Sequence, residues 1–365
     1  MRVSATVVFW QTVAKRKYRK SDYMDIDTQG MIKIRCKKLS LTLTALTMML
    51  TSCSHVISAK INRQENAVCH EGTSLPIPRA GHAAGIVGGK PFIVGGNNWS
   101  TDRKIKNWLC DTYVFDHNSW QNGAMLPSAI ADMMYASDET GLYICGGSDG
   151  TRKLNSTYLF QSPYTIPTAL APLPLATDCG GAAMLNGMLY VVCGATDSGL
   201  TNRVWRLDTK TQKETWKECT SLPGAAREFP AVATCGNYVY VLGGVILQTE
   251  QPTMTVLQDT YRYDPVNDRW EKLSDLPCGG YAWSATAVND THMLVTGRAY
   301  ENSNVSNNIW LVNTDNMSIQ NIGKLRIQAC AAPLVKVGLK TWWYIGGEPD
   351  ATRNRTSQVS VISLD

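Results

Sequence analysis

The chain has 365 residues, 44% hydrophobic and 18% charged, which is enough apolar material for a large buried core and excludes a disordered body. Its formal charge of +5 is uneven: residues 1–52 carry 10 Lys and Arg against 3 Asp and Glu, and residues 53–365 carry 25 against 27. The basic excess belongs to the N-terminus, so nucleic acid is not an expected partner of the body.

In chain order, the first feature is a targeting signal beginning at Met31. Lys33, Arg35, Lys37 and Lys38 precede the apolar run Leu39–Leu50, which is too short to cross a bilayer as a helix. The run ends in Leu50-Thr51-Ser52-Cys53, which resembles a bacterial lipobox, where small residues precede a cysteine that is lipidated and becomes the mature N-terminus. Cleavage by the ordinary signal peptidase is the alternative. Residues 1–30, with the basic stretch Lys15 to Lys20, have no place in such a signal, and translation is expected to start at Met31. The expected organisation is an upstream extension foreign to the native protein over 1–30, a lipoprotein signal peptide over 31–52, a linker over 53–66 and one folded domain over 67–365. Lipidated Cys53 is then the only membrane attachment, and the expected location is the bacterial cell envelope, as a periplasmic or outer-membrane lipoprotein.

From residue 67 the chain is periodic. Short β-branched or aromatic runs, Pro91–Val94, Leu142–Cys145, Leu189–Val192, Val239–Leu242, Met293–Thr296 and Trp343–Ile345, each read as a buried strand. Glycine pairs follow at Gly95-Gly96, Gly146-Gly147, Gly243-Gly244 and Gly346-Gly347, with degenerate versions at Cys193-Gly194 and Gly297-Arg298. Counted from the first residue of each pair, and from Thr296 before Gly297 in the fifth, the steps are 51, 47, 50, 53 and 50 residues. That period, with a small-residue strand before each run and aromatic strands after it, predicts a six-bladed kelch-type β-propeller, an all-β fold. The glycines permit turns where a Cβ would strike the next blade. The sixth unit stops at its third strand, Gln358–Leu364. Ala67–Pro76 has the shape of a fourth strand, ending in the same Ser-Leu-Pro as Ser221–Pro223, and is expected to close the ring and remove its edges.

The eleven cysteines do not form a disulfide framework: Cys145, Cys193, Cys235 and Cys330 sit in apolar runs, as small core residues do. No CxxC pair occurs and the five histidines are scattered, so neither a metal site nor a cofactor is expected.

A propeller gathers the starts of its first strands, and the loops after its second strands, around one mouth of its channel. The polar residues there are Arg79, His82, Asp132, Asp178, Arg227, Glu228 and Tyr281, and Asn97, Asp149, Asp197, Arg298 and Glu348. For most of them, capping a strand or facing channel water is explanation enough, and His82 reads as structural. Glu348 stands out because it directly follows the last glycine pair and shares a short loop with Arg353 and Arg355, a carboxylate beside guanidinium groups suited to proton transfer on an anionic ligand.

These residues resemble a known family, the bacterial sialic acid mutarotases, or N-acetylneuraminate epimerases. The resemblance is carried by Leu207-Asp-Thr through Trp216, by Pro223-Gly-Ala-Ala-Arg-Glu228 and the strand to Gly244, by Tyr263-Asp-Pro through Leu273, and by Lys340-Thr-Trp-Trp-Tyr-Ile-Gly-Gly-Glu348 with Arg355-Thr356 beyond. It covers nearly all of residues 67–365, strongly in the second half. The unit order differs: segments that follow the catalytic loop in that family resemble residues 79–200 here, ahead of it. The chain is thus similar to a cyclically permuted branch, a change that costs a closed ring little because every blade keeps its neighbours.

The resemblance implies a mutarotase that interconverts the α and β anomers of N-acetylneuraminate. It makes Glu348 the acid/base and Arg355 its partner, with Arg227, Arg298, Arg353 and Arg79 as further substrate-binding candidates. The spacing from Glu348 to Arg355 is one residue longer than the family pattern, so Arg353 competes for the arginine's place, and the register of Thr356 and the next strand favours Arg355. Two rival readings stand beside it. One is a non-catalytic propeller binding a glycan or protein partner at the envelope. The other is a copper oxidase on kelch blades, which the scattered histidines disfavour.

Overall fold

The alternation of apolar and polar residues in each repeat is satisfied by one twisted antiparallel sheet. In the computed structural model, six four-stranded sheets follow one another along the chain. The structure describes residues 65–365 apart from 212–214, 248–253, 298, 302–303, 351 and 353, together with a short pairing of Asp25–Ile26 with Ile32–Lys33. The apolar run Leu39–Leu50 and Cys53 lie outside the described residues.

Blade 1 comprises Ala83–Val87, Lys90–Val94, Thr112–Asp116 and Ser119–Asn122; blade 4 comprises Ala231–Cys235, Tyr238–Leu247, Met254–Asp264 and Arg269–Lys272. The first strand of each blade lies against that of the next. Leu334–Gly338 of blade 6 returns to Ala83–Val87 of blade 1, closing the six-bladed propeller that the repeat predicts.

The seam is where the sequence places it. Blade 6 is built from Leu334–Gly338, Thr341–Ile345, Val359–Leu364 and, as its fourth strand, Ala67–Glu71. Ala67 stands opposite Leu364 and Glu71 opposite Ser360. The Gly72 and Leu75 amides extend the pairing by donating to the Val359 and Ser357 carbonyls. One sheet therefore uses both ends of the domain, and Val359–Leu364 is an inner strand rather than an edge.

The core lies between blades. Six apolar clusters occupy the six blade junctions: Phe92 meets Phe160 between blades 1 and 2, Tyr190 meets Tyr263 between blades 3 and 4, and buried Trp342 packs between blades 5 and 6. The glycine pairs keep these junctions tight. Gly95 has φ 62°, and a Cβ on it would stand 2.5 Å from the Ile130 carbonyl oxygen of the next blade.

Arg79 and Arg227, expected among the substrate-binding residues, are built into this framework. Both have no exposed surface. Arg79 donates to the Gly95 carbonyl at 2.8 Å and to both carboxylate oxygens of Asp111 at 3.0 and 2.8 Å. Arg227 repeats the arrangement on Gly243 and Asp259, and each guanidinium also faces a tyrosine, Tyr113 or Tyr261. A planar fork that binds a carboxylate and a turn carbonyl, with no surface exposed, is a structural clasp.

Candidate active site

Backbone hydrogen bonds link the six blades in a single ring. Gly81, Asp132, Cys179, Phe229, Ala282 and Ala331, one ahead of each first strand, have left-handed φ between 50° and 60°. Each amide donates to the carbonyl of its counterpart in the preceding blade at 2.6–3.1 Å, and Gly81 completes the circuit by donating to Ala331. Five of the six are not glycine, so each costs about 1–2 kcal/mol of local strain. The closed circuit of hydrogen bonds holds them there. On one side of this ring the first strands enclose a cavity of about 450 Å³ whose lining includes Ala84, Tyr135, Ala183 and Ala285.

On the other side of the ring, a second set of pairings fixes the rim. The residue before five of the six ring positions bridges the residue after the glycine pair of its own blade: Ala80 with Asn97, Ala131 with Ser148, Asp178 with Ala195, Glu228 with Val245, Cys330 with Glu348. Glu348 and Asn97 therefore occupy the same structural position in adjacent blades. The Glu348 backbone is held by bonds of 2.8 and 3.1 Å to Cys330.

Arg355 spans those two positions. Its Nη2 lies 2.9 Å from Glu348 Oε1, and its Nε and Nη2 donate to Asn97 Oδ1 at 3.0 and 2.8 Å. Its side chain is only 7% exposed, while that of Glu348 is 33% exposed: one partner is held and the other is open to the mouth. The loop that carries the pair is self-supporting. Asp350 accepts from the Thr352 hydroxyl, from Asn354 Nδ2 and from the Thr352 amide, which hold its carboxyl down at about 2, and the Thr356 amide returns to the Gly347 carbonyl. Asp149 does the same work in blade 2, accepting from Thr151 and Arg152, so it is a loop builder. Arg298 and Arg353 lie outside the described residues.

The structure adds groups that the sequence placed at the mouth without distinguishing them. Asp132, in the ring itself, lies with Lys106 Nζ 3.9 Å away. Burial pushes its carboxyl up to about 6, against the pull of Lys106 and with further help from Glu348 and Asp178. Lys153 pairs with Asp178 at 2.6 Å. Glu228, nearly buried, is raised to about 7, first by burial and then by the Asp178 charge. Phe229 and Tyr281, with ring centres 6.5 Å apart, form an aromatic side of the mouth. His82 is buried beside Gly346, and burial followed by the Arg79 charge keeps it neutral, as a structural residue would be.

Lys106 had no signal in the sequence beyond its charge. It reaches Asp132 because Asn97–Trp99 pairs with Lys106–Trp108 in a hairpin raised from blade 1. Asp132 looked like any polar residue ahead of a strand.

A rim that offers a partly exposed carboxylate, a fixed guanidinium and a second carboxyl near neutral titration is equipped to bind an anionic, hydroxylated molecule and move protons on it. Comparison with known proteins agrees in kind. The N-acetylneuraminate epimerase family model matches residues 170–358. Curated proteins called N-acetylneuraminate epimerase from Salmonella enteritidis PT4 and Salmonella typhi are each 31% identical over 138 residues, 38% of this chain and 34% of theirs. One of the same name from Yersinia enterocolitica is 30% identical over 140 residues, 38% of this chain and 35% of its own. The chain thus aligns with about a third of the length of the curated relatives it matches.

Proposed function

Because this chain belongs to the N-acetylneuraminate epimerase family, we propose that it is a mutarotase acting on a 2-keto sugar acid, N-acetylneuraminate first among candidates, and that it is a cyclically permuted form of the family. The observation that carries the reading is the Glu348–Arg355 pair at the mouth, with the guanidinium fixed by Asn97 and the carboxylate one-third exposed.

The chemistry follows from the groups present. Mutarotation requires a base for the anomeric hydroxyl proton, an acid for the ring oxygen, and time for the carbonyl to present its other face before closure. Glu348 takes the first proton. Arg355 binds the substrate carboxylate and keeps C2 beside Glu348, a positioning role suited to a guanidinium whose plane is fixed by Asn97. Because free sugars already mutarotate slowly, acid/base assistance of roughly 10²- to 10⁴-fold is sufficient catalysis.

The test is proton NMR of the α anomer of N-acetylneuraminate relaxing to equilibrium, with wild-type protein and with Glu348→Gln. The variant is expected to bind the sugar and lose the acceleration. Full acceleration in Glu348→Gln would remove Glu348 from the mechanism, and no acceleration by wild type would remove the activity. We also propose export to the cell envelope with a lipid on Cys53, which the basic stretch, apolar run and Leu50–Cys53 sequence support.

A further inference from the structure

Resting on the mutarotase reading, we propose that Asp132 is a second catalytic residue, the acid that protonates the ring oxygen while Glu348 takes the anomeric proton. Ring opening needs both transfers, and the two groups lie on opposite sides of one rim segment. Asp132 belongs to blade 2, Glu348 to blade 6, and blade 1 lies between them. Gly81, the blade 1 ring residue, is what lets the segment be continuous: a Cβ there would overlap Asp132 Oδ1 and stand 3.1 Å from Asn97 Nδ2. Asn97 holds Arg355, and Arg355 holds Glu348. Asp132 is the only carboxylate among the six ring residues, and Glu348 and Arg355 stand close enough for their charges to act on it. On this reading a substrate carboxylate placed on Arg355 has Glu348 on one side and Asp132 on the other.

The proton balance closes. Asp132 gives its proton to the ring oxygen as the bond from that oxygen to C2 breaks; Glu348 accepts the hydroxyl proton as the C2 carbonyl forms. After rotation about the bond from C2 to C3, closure returns a proton from the former ring hydroxyl to Asp132, and Glu348 protonates the new anomeric oxygen. Neither group is consumed and no other reactant is needed.

The charges facing Asp132 come from every neighbouring element: Lys106 of the blade 1 hairpin, Glu348 and Arg355 of blade 6, Asp178 of blade 3, and beyond them Cys179 and Glu228. Burial is the largest influence and raises its carboxyl to about 6, so its proton is available in the range where an acid catalyst is useful.

Two variants of the full chain test this by the same NMR assay across pH. Asp132→Asn keeps the shape and tolerates the left-handed backbone; it is expected to slow anomer exchange on the order of 10²-fold, with sugar binding retained. Lys106→Met removes a charge that lowers the Asp132 titration, so the loss of activity with rising pH is expected to move to higher pH. Wild-type rates in Asp132→Asn, or an unmoved pH profile in Lys106→Met, overturn the assignment; should Asp132→Asn fail to fold, Lys106→Met decides. An active wild type with inactive Glu348→Gln and fully active Asp132→Asn removes Asp132 alone, whereas an inactive wild type removes the mutarotase reading and this assignment with it.

Discussion

Glu228 offers a measurement of the mouth's electrostatics that does not depend on any substrate. Its side chain is almost buried and its carboxyl is raised to about 7, with burial as the main cause and Asp178 and Asp132 adding to it against Lys153. A carboxyl raised in the folded state binds more protons folded than unfolded, so its contribution favours folding at acid pH and is lost as pH climbs from the ordinary glutamate value through about 7. The gap between 4.5 and about 7 corresponds to about 3 kcal/mol. Glu228→Gln keeps the shape and discards the charge. It is expected to match wild type near pH 4.5 and to be more stable by up to about 3 kcal/mol above pH 8, raising Tm by about 6 °C at about 2 °C per kcal/mol for a domain of this size. Thermal unfolding of both proteins in matched buffers from pH 4.5 to 8.5 reads the difference directly. A constant offset between them, or a gap that narrows as pH rises, refutes the reasoning.

Three further outcomes follow from the framework. Arg227→Met leaves Asp259 without its buried partner and is expected to cost about 3–5 kcal/mol in denaturant unfolding, with Arg79→Met costing about the same because its geometry is a copy; Asp259→Asn, which leaves the buried Arg227 charge uncompensated, is expected to cost at least as much. Removing residues up to Glu71 deletes the fourth strand of blade 6 and exposes Val359–Leu364 as an edge, so the shortened chain is expected to lose cooperative unfolding and to aggregate in light scattering, and a monomer with unchanged Tm would contradict the closure. Cys53→Ala is expected to block metabolic labelling with a palmitate analogue and to release the protein from the membrane fraction of a bacterial host; unchanged labelling would show that Cys53 is not the lipid site.

The fold was legible because it is written in repetition. A blade cannot bury its own faces, so the same strand, glycine pair and aromatic strand must recur, and a missing fourth strand at one end must be supplied by the other. Local pattern carries all of that, down to Ala67–Glu71 beside Val359–Leu364. Glu348 was equally legible, since its place after the last glycine pair fixes it at the mouth.

The roles of the arginines and the remaining carboxylates were decided only by tertiary structure. Arg79 and Arg227 stand where mouth residues stand, yet Asp111 and Asp259, 32 residues further on, draw them into the blade. Arg355 is set apart by Asn97, which is 258 residues away in sequence and adjacent only because the ring closes. The charge state of Asp132 is the sum of burial and of fields from several blades, which no local sequence pattern contains. Sequence determined the period, the seam and the position of Glu348, because each depends on residues close along the chain. Which cations remain free for a ligand, and which carboxyls keep a proton, depend on distances across the ring.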